Sequence, residues 1–211
     1  IDNKGNPVDL ATVVLFTGDK QEAAAITDEN GQFTMTVING EYELKIRNIS
    51  YEPFEQIVSI KSETTNMGHF ELKESAFGLN EVVVSASTIT REPDRFVMQI
   101  NNMPSMLSKD ASEVLRLAPG VWVDDNGVSI NGAGGAKVFI NERELRLTKK
   151  ELVDYLRNFR SSDIARIEVI PQAGAEYSAD SQSGVVKIVL RKQLENGTSG
   201  NVMLATSQGK Y

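Results

Sequence analysis

The chain has 211 residues, enough for one large or two small domains, and its 40% hydrophobic and 24% charged residues are ordinary for a folded protein. A net charge of -7 counts against a nucleic-acid-backbone binder, which needs clustered Lys and Arg. Without cysteine and with a single histidine, thiolate catalysis, disulfides and the usual zinc sites are excluded, and no apolar run reaches the roughly 18 residues of a transmembrane helix.

Residues 1–74 read as all-β. The chain opens at Ile1 with no basic or apolar leader, as expected of a mature or trimmed fragment. Val13-Val14-Leu15-Phe16 is a continuous apolar strand followed by the turn Thr17-Gly18-Asp19-Lys20. Gln32–Val37 alternates strictly, with Phe33, Met35 and Val37 on one face, and Glu41–Arg47 alternates again with Tyr42, Leu44 and Ile46 inward. Asn39-Gly40 between these runs predicts a hairpin. Gln56–Ile60 and Phe70–Leu72 follow as short strands, so the region is expected to be a small sandwich.

Residues 75–95 change character. Glu81-Val82-Val83-Val84-Ser85-Ala86 sits between small or turn-forming residues and the polar stretch Thr88–Arg95, which contains Pro93. Three successive valines favour extended backbone, because β-branched side chains crowd a helix. Such a run is either another strand of a neighbouring sheet or a strand awaiting a partner, carried on an extended linker.

Residues 96–192 mix helix and strand. Asp110-Ala111-Ser112-Glu113 resembles a capping box opening a short helix with Val114, Leu115 and Leu117 on its apolar side, closed by Pro119-Gly120. Asp124–Gly127 is a turn between the strands Val121–Val123 and Val128–Ile130, and Lys137–Asn141 is a further strand. Thr148-Lys149-Lys150-Glu151 is a second capping box, with Leu152, Val153, Leu156 and Phe159 at helical spacing behind it. Arg166–Ile170 and Val185–Leu190 complete a small mixed sheet carrying two helices. Residues 193–211 carry no pattern that would finish this domain.

Reactive clusters are missing from this pattern. His69 alternates with Glu71 and Lys73, opposite Phe70 and Leu72, which predicts a solvent-exposed side chain. Gly132-Ala133-Gly134-Gly135 lacks the Lys-Ser/Thr of a phosphate-binding loop and precedes a strand, so it reads as a turn. Asp124-Asp125-Asn126 is too contiguous for an EF-hand. Ala173–Gly184 is a long loop of small residues between two strands, a length uncommon without function or disorder. No catalytic, cofactor-binding or metal-binding residue is expected, and the chain does not read as an enzyme.

Three stretches in order resemble the TonB-dependent outer-membrane receptors of Gram-negative bacteria. Gly5-Asn6-Pro7-Val8, Ala11-Thr12-Val13, Thr27–Phe33, Asn39–Tyr42 and Ile49–Glu52 are similar to the carboxypeptidase-regulatory-like domain that precedes many of them, with Ser50 where a glycine is usual. Leu79–Ala86 resembles the TonB-box region. Glu113–Val121, Asn131-Gly132, Val138–Asn141, Ile167–Ile170, Tyr177 and Gly184–Lys192 resemble the plug, in the Bacteroidetes outer-membrane β-barrel branch; Ala173 and Ser181 stand where a proline and a glycine are usual.

The resemblance implies an all-β Ig-like or transthyretin-like sandwich (1–74), an extended linker with a TonB-box-like segment (75–95), an α+β plug with a small mixed sheet (96–192) and the start of a truncated β-barrel (193–211). It also implies that Glu81, Val82, Val83, Val84, Ser85 and Ala86 bind the TonB C-terminal domain by strand addition. The plug loops at Gly132, Ala133, Gly134 and Gly135 and at Glu176 and Tyr177 would face an unidentified nutrient. The remaining partner would be the protein's own barrel of about 22 strands, each needing about 9–11 residues, which cannot fit after Lys192. The location implied is the outer membrane, with these domains facing the periplasm or inside the barrel. The alternative is a self-contained secreted or surface module binding carbohydrate or protein, with a ligand patch around Tyr177 or Trp122. A peptidase-associated domain is a weaker third reading, because fold does not carry activity with it.

Overall fold

The computed structural model describes residues 1–62, 64–75, 88–106, 108–172, 174, 177 and 184–191. The N-terminal half is built on an antiparallel four-stranded sheet in the order β2-β1-β3-β4, with β1 Thr12–Thr17, β2 Lys20–Ile26, β3 Gly40–Arg47 and β4 Phe54–Ile60. One face of this sheet carries Val13, Leu15, Tyr42, Leu44, Ile46 and Val58, all buried. Phe33, Met35, Val37 and Phe70 cover that face from the other side, giving a sandwich-like core. Each fully buried aliphatic side chain there contributes about 1.5–3 kcal/mol.

Two sequence expectations change here. Residues 32–37 keep their alternation, Phe33, Met35 and Val37 facing the core, but form no strand, and Asn39-Gly40 closes no hairpin. The topology explains this: β3 is paired with β1 on one side and β4 on the other, so no edge is left for the preceding segment. Phe70–Leu72 likewise is not a strand; Leu72 makes a single bridge to Asp2. The strand that pattern reading missed is β2, whose Ala23-Ala24-Ala25 run lacks the β-branched residues typical of strands.

The second half contains a six-stranded sheet ordered β11-β10-β13-β12-β6-β5 and a three-stranded sheet ordered β7-β8-β9. Their strands are β5 Ile89–Arg91, β6 Phe96–Gln99, β7 Val121–Asp124, β8 Gly127–Ile130, β9 Ala133–Gly134, β10 Lys137–Ile140, β11 Arg143–Glu144, β12 Ile164–Ile170 and β13 Val185–Leu190. Only β10 and β13 pair in parallel, so the larger sheet is mixed. The polar stretch Thr88–Arg95, expected as linker, therefore contributes β5, an edge strand paired with β6. Helices α1 (Ala111–Leu115) and α2 (Lys149–Asn158) bury Val114, Leu115, Leu152, Val153 and Leu156 in one core with Met98, Ile130, Ile167 and Ile188. Both capping boxes form as expected. Asp110 Oδ1 accepts from Glu113 N at 3.0 Å, and Glu151 Oε2 accepts from Thr148 N at 2.9 Å. The α1 box is completed by Glu113 Oε2 accepting from Asp110 N.

Candidate functional site

The region where the two halves meet is built from the outer face of β1–β3. Alternation sends Val13 and Leu15 into the sandwich core, leaving Thr12, Val14 and Phe16 on the opposite face, beside Ala24 and Ile26 of β2 and Arg47 of β3. That face is not wet. Val14, Phe16 and Trp122 of β7 form a buried cluster against Ala24, with the Phe16 and Trp122 rings 5.2 Å apart. The guanidinium of Arg47 lies 3.8 Å from the Trp122 ring centroid, a cation–π contact. Trp122 is thus only 5% exposed, its ring covered by Phe16 and Arg47.

Polar groups fix the register of this contact. Gly120 N donates to Thr12 Oγ1 at 2.8 Å, and Ser129 Oγ donates to Gln21 Oε1 at 2.8 Å. Arg91 of β5 donates to Asp9 Oδ1 at 2.8 Å, joining the edge of the larger sheet to the loop before β1. The alanines of β2 have a purpose here. A Cβ on Gly132 would lie 3.1 Å from Ala24 N, and one on Gly120 would lie 2.7 Å from Ile26 Cδ1, so small residues on both sides permit the approach.

The expected site residues separate accordingly. Glu81–Ala86 and Glu176 lie outside the described residues. Asn131 and Gly132 both have positive φ, making the tight turn from β8 to β9, and Gly132 packs on β2. A Cβ on Gly135 would meet nothing within 4 Å, and with Gly132 this residue lines a groove of 480 Å³ bounded by Asp19, Lys20, Asn126 and Lys149. Tyr177 rests edge-on against Phe139 at 5.8 Å, beneath Lys187. His69 is exposed, as expected. Among the described residues no group of His, Asp and Glu could hold a metal ion.

A second cavity, of 360 Å³, lies where the chain leaves the sandwich and enters the larger sheet, lined in part by Leu10, Ser50, Tyr51, Thr88, Ile89 and Met103. The described residues that bracket the expected coupling segment are both anchored here. Ser75 N donates to Ser50 O at 2.9 Å, and Thr88 O accepts from Gln99 N at 2.9 Å. One anchor belongs to the sandwich and the other to β5–β6.

Charge is organised in two contrasting ways. Glu168, on β12, is buried between Arg166 at 2.8 Å and Arg95 at 3.0 Å. Burial alone would push its pKa up, but the two guanidiniums outweigh that and hold it below its ordinary value. Arg95 is correspondingly raised, first by its hydrogen bond to Asp94 and then, against the cost of burial, by Glu168. Arg47 is lowered, first by burial and then by the charge of Arg116, against the opposing pull of Glu55. Pattern reading missed Arg47 and Arg116, because an Arg on the polar face of a strand or at a helix end reads as an ordinary solvated charge.

With this geometry in place, comparison with known proteins decides one point. Residues 1–84 match the CarboxypepD_reg-like domain. This agrees with the sandwich-like sheet and with the ordered motifs of residues 1–52. The match extends beyond Ser75 and takes in Glu81–Val84. No curated protein and no solved structure matches the chain.

Proposed function

We propose that the chain is the periplasm-facing part of a TonB-dependent outer-membrane transporter: the CarboxypepD_reg-like domain, a coupling segment at Glu81–Ala86, and a plug that gates the barrel. The observation that carries this reading is the ordered series of motifs across both halves, whose first member falls in the matched CarboxypepD_reg-like domain. On this reading the chain catalyses no reaction; it receives force and passes it to the plug.

The anchors on either side of the segment support the reading. Pull on residues 81–86 would be transmitted to Thr88 and then to β5, an edge strand of three residues. A short edge strand can peel one residue pair at a time, whereas the central strands β12 and β13 resist. Strand addition would suit the three valines, since backbone hydrogen bonds supply the affinity. The competing assignment makes Glu81–Val84 the last strand of the sandwich, and one experiment separates the two. A TonB C-terminal domain is expected to bind the 211-residue chain in calorimetry and to lose binding to Val83→Pro, which removes a backbone donor. Equal binding by both chains, or none by either, would remove the coupling assignment.

A further inference from the structure

We infer that Arg47 and Arg116 form a binding site for a small oxyanion, a carboxylate or phosphate group, at the junction of the two halves. Position comes first. Arg47 stands opposite Thr12 in the β1–β3 register, and Thr12 Oγ1 accepts from Gly120 N, in the turn that follows Arg116 at the end of α1. The two side chains are therefore brought to one place by contacts between separate parts of the chain.

Their lack of partners comes next. Arg91, Arg95, Arg157 and Arg166 each meet a carboxylate within 2.6–2.8 Å. Among the described residues neither Arg47 nor Arg116 has an ion pair, and Arg116 Nε is buried with no hydrogen-bond partner. Glu55, the carboxylate whose charge reaches Arg47, lies 3.6 Å from Lys45 Nζ, which also meets Glu43 at 3.2 Å. Arg143, Arg160 and Arg191 also form no ion pair among the described residues, but they are exposed to solvent, whereas Arg47 and Arg116 are half-buried, so in a chain of net charge -7 their want of a carboxylate is unexpected. A buried donor without an acceptor and a like-charged neighbour both cost free energy, and one oxyanion would relieve both.

The shape of the site defines its ligand. With its face on Trp122, Arg47 keeps its in-plane N–H groups for an acceptor at its edge, the geometry that suits a planar carboxylate or a phosphoryl group. One pair of cations on an acidic chain does not suit an extended polyanion, so the ligand is small or presents a single anionic group. The inference is independent of the coupling assignment.

Trp122 is the only tryptophan, so its fluorescence reports this site alone. The 211-residue chain would be titrated with sodium phosphate and, separately, with disodium succinate, each against sodium chloride at matched ionic strength. A saturable change in either arm that chloride does not produce, weakened about tenfold or more by Arg116→Gln and partly restored by Arg116→Lys, is the expected result. Saturation by phosphate alone identifies the ligand group as phosphoryl, and by succinate alone as carboxylate. Arg116→Gln leaves the Trp122 contact intact, and far-UV circular dichroism checks its folding; Arg47→Lys supplies the same reading if it misfolds. No saturable change in either arm, or saturation that both Arg116→Gln and Arg47→Lys leave unaltered, overturns the site.

Discussion

The two halves solve the problem of covering a sheet differently. In the α+β half, helices, a second sheet and the larger sheet enclose one core in which Leu115, Leu156, Ile167 and Ile188 are fully buried, with only Leu10, Ile26 and Ile49 of the other half packed at its border. The N-terminal sheet is shielded on one face by its own extended segments and on the other by Trp122 and the β7–β9 sheet. The CarboxypepD_reg-like domain thus draws part of its burial from its neighbour. Coupling between the halves is then a matter of packing as well as of covalent linkage.

The largest expected effect comes from removing the shared side chain. Trp122→Ala takes a 5%-exposed ring from between Phe16 and Arg47 and is expected to cost about 3–5 kcal/mol. Thermal unfolding followed by circular dichroism should then split, the N-terminal half melting first; a single transition shifted as a whole would show that the halves do not depend on this contact for their cooperativity.

Smaller, and confined to the α+β half, is the effect of Glu168→Gln. Loss of the charge between Arg95 and Arg166 is expected to cost about 1–3 kcal/mol near neutral pH. The sign of its pH dependence follows from the depressed pKa. The unfolded carboxyl binds its proton near 4.5 and the folded one only below that, so the contribution is complete above about pH 4.5 and fades as the pH falls further. Denaturant titrations of both proteins at pH 7 and pH 3 should therefore converge at the lower pH; a constant gap would assign the loss to packing. Smallest is Thr148→Ala, which removes the cap of α2 and should cost about 1 kcal/mol by urea denaturation, with no splitting of the transition.

How much was legible depended on whether a residue's role is local. The capping boxes at Asp110 and Thr148, the Asp124–Gly127 turn and the strands β8, β10, β12 and β13 were readable, because hydrogen bonds or alternation within a few residues decide them. Asn39-Gly40 and Asn131-Gly132 have the same dipeptide and different fates. Only the second closes a hairpin, since the edge of β8 is free for β9 while both edges of β3 are occupied. Strand β5 was invisible within a polar stretch, because its pairing comes from β6 across the Arg91–Phe96 turn rather than from its own composition.

The residues by themselves determined which part of the chain carries the helices, the inward face of β3 and both helix starts, because period and capping chemistry act over short distances. Tertiary structure decided the rest. The continuous run Val13–Phe16 became a strand buried on both faces only because Trp122 arrived on its outer side. The alanines of β2 became strand by pairing with β1, and their small size lets the Gly132 turn approach. The approach of Arg47 to the end of α1 follows from a contact between residues 12 and 120 that no local pattern encodes.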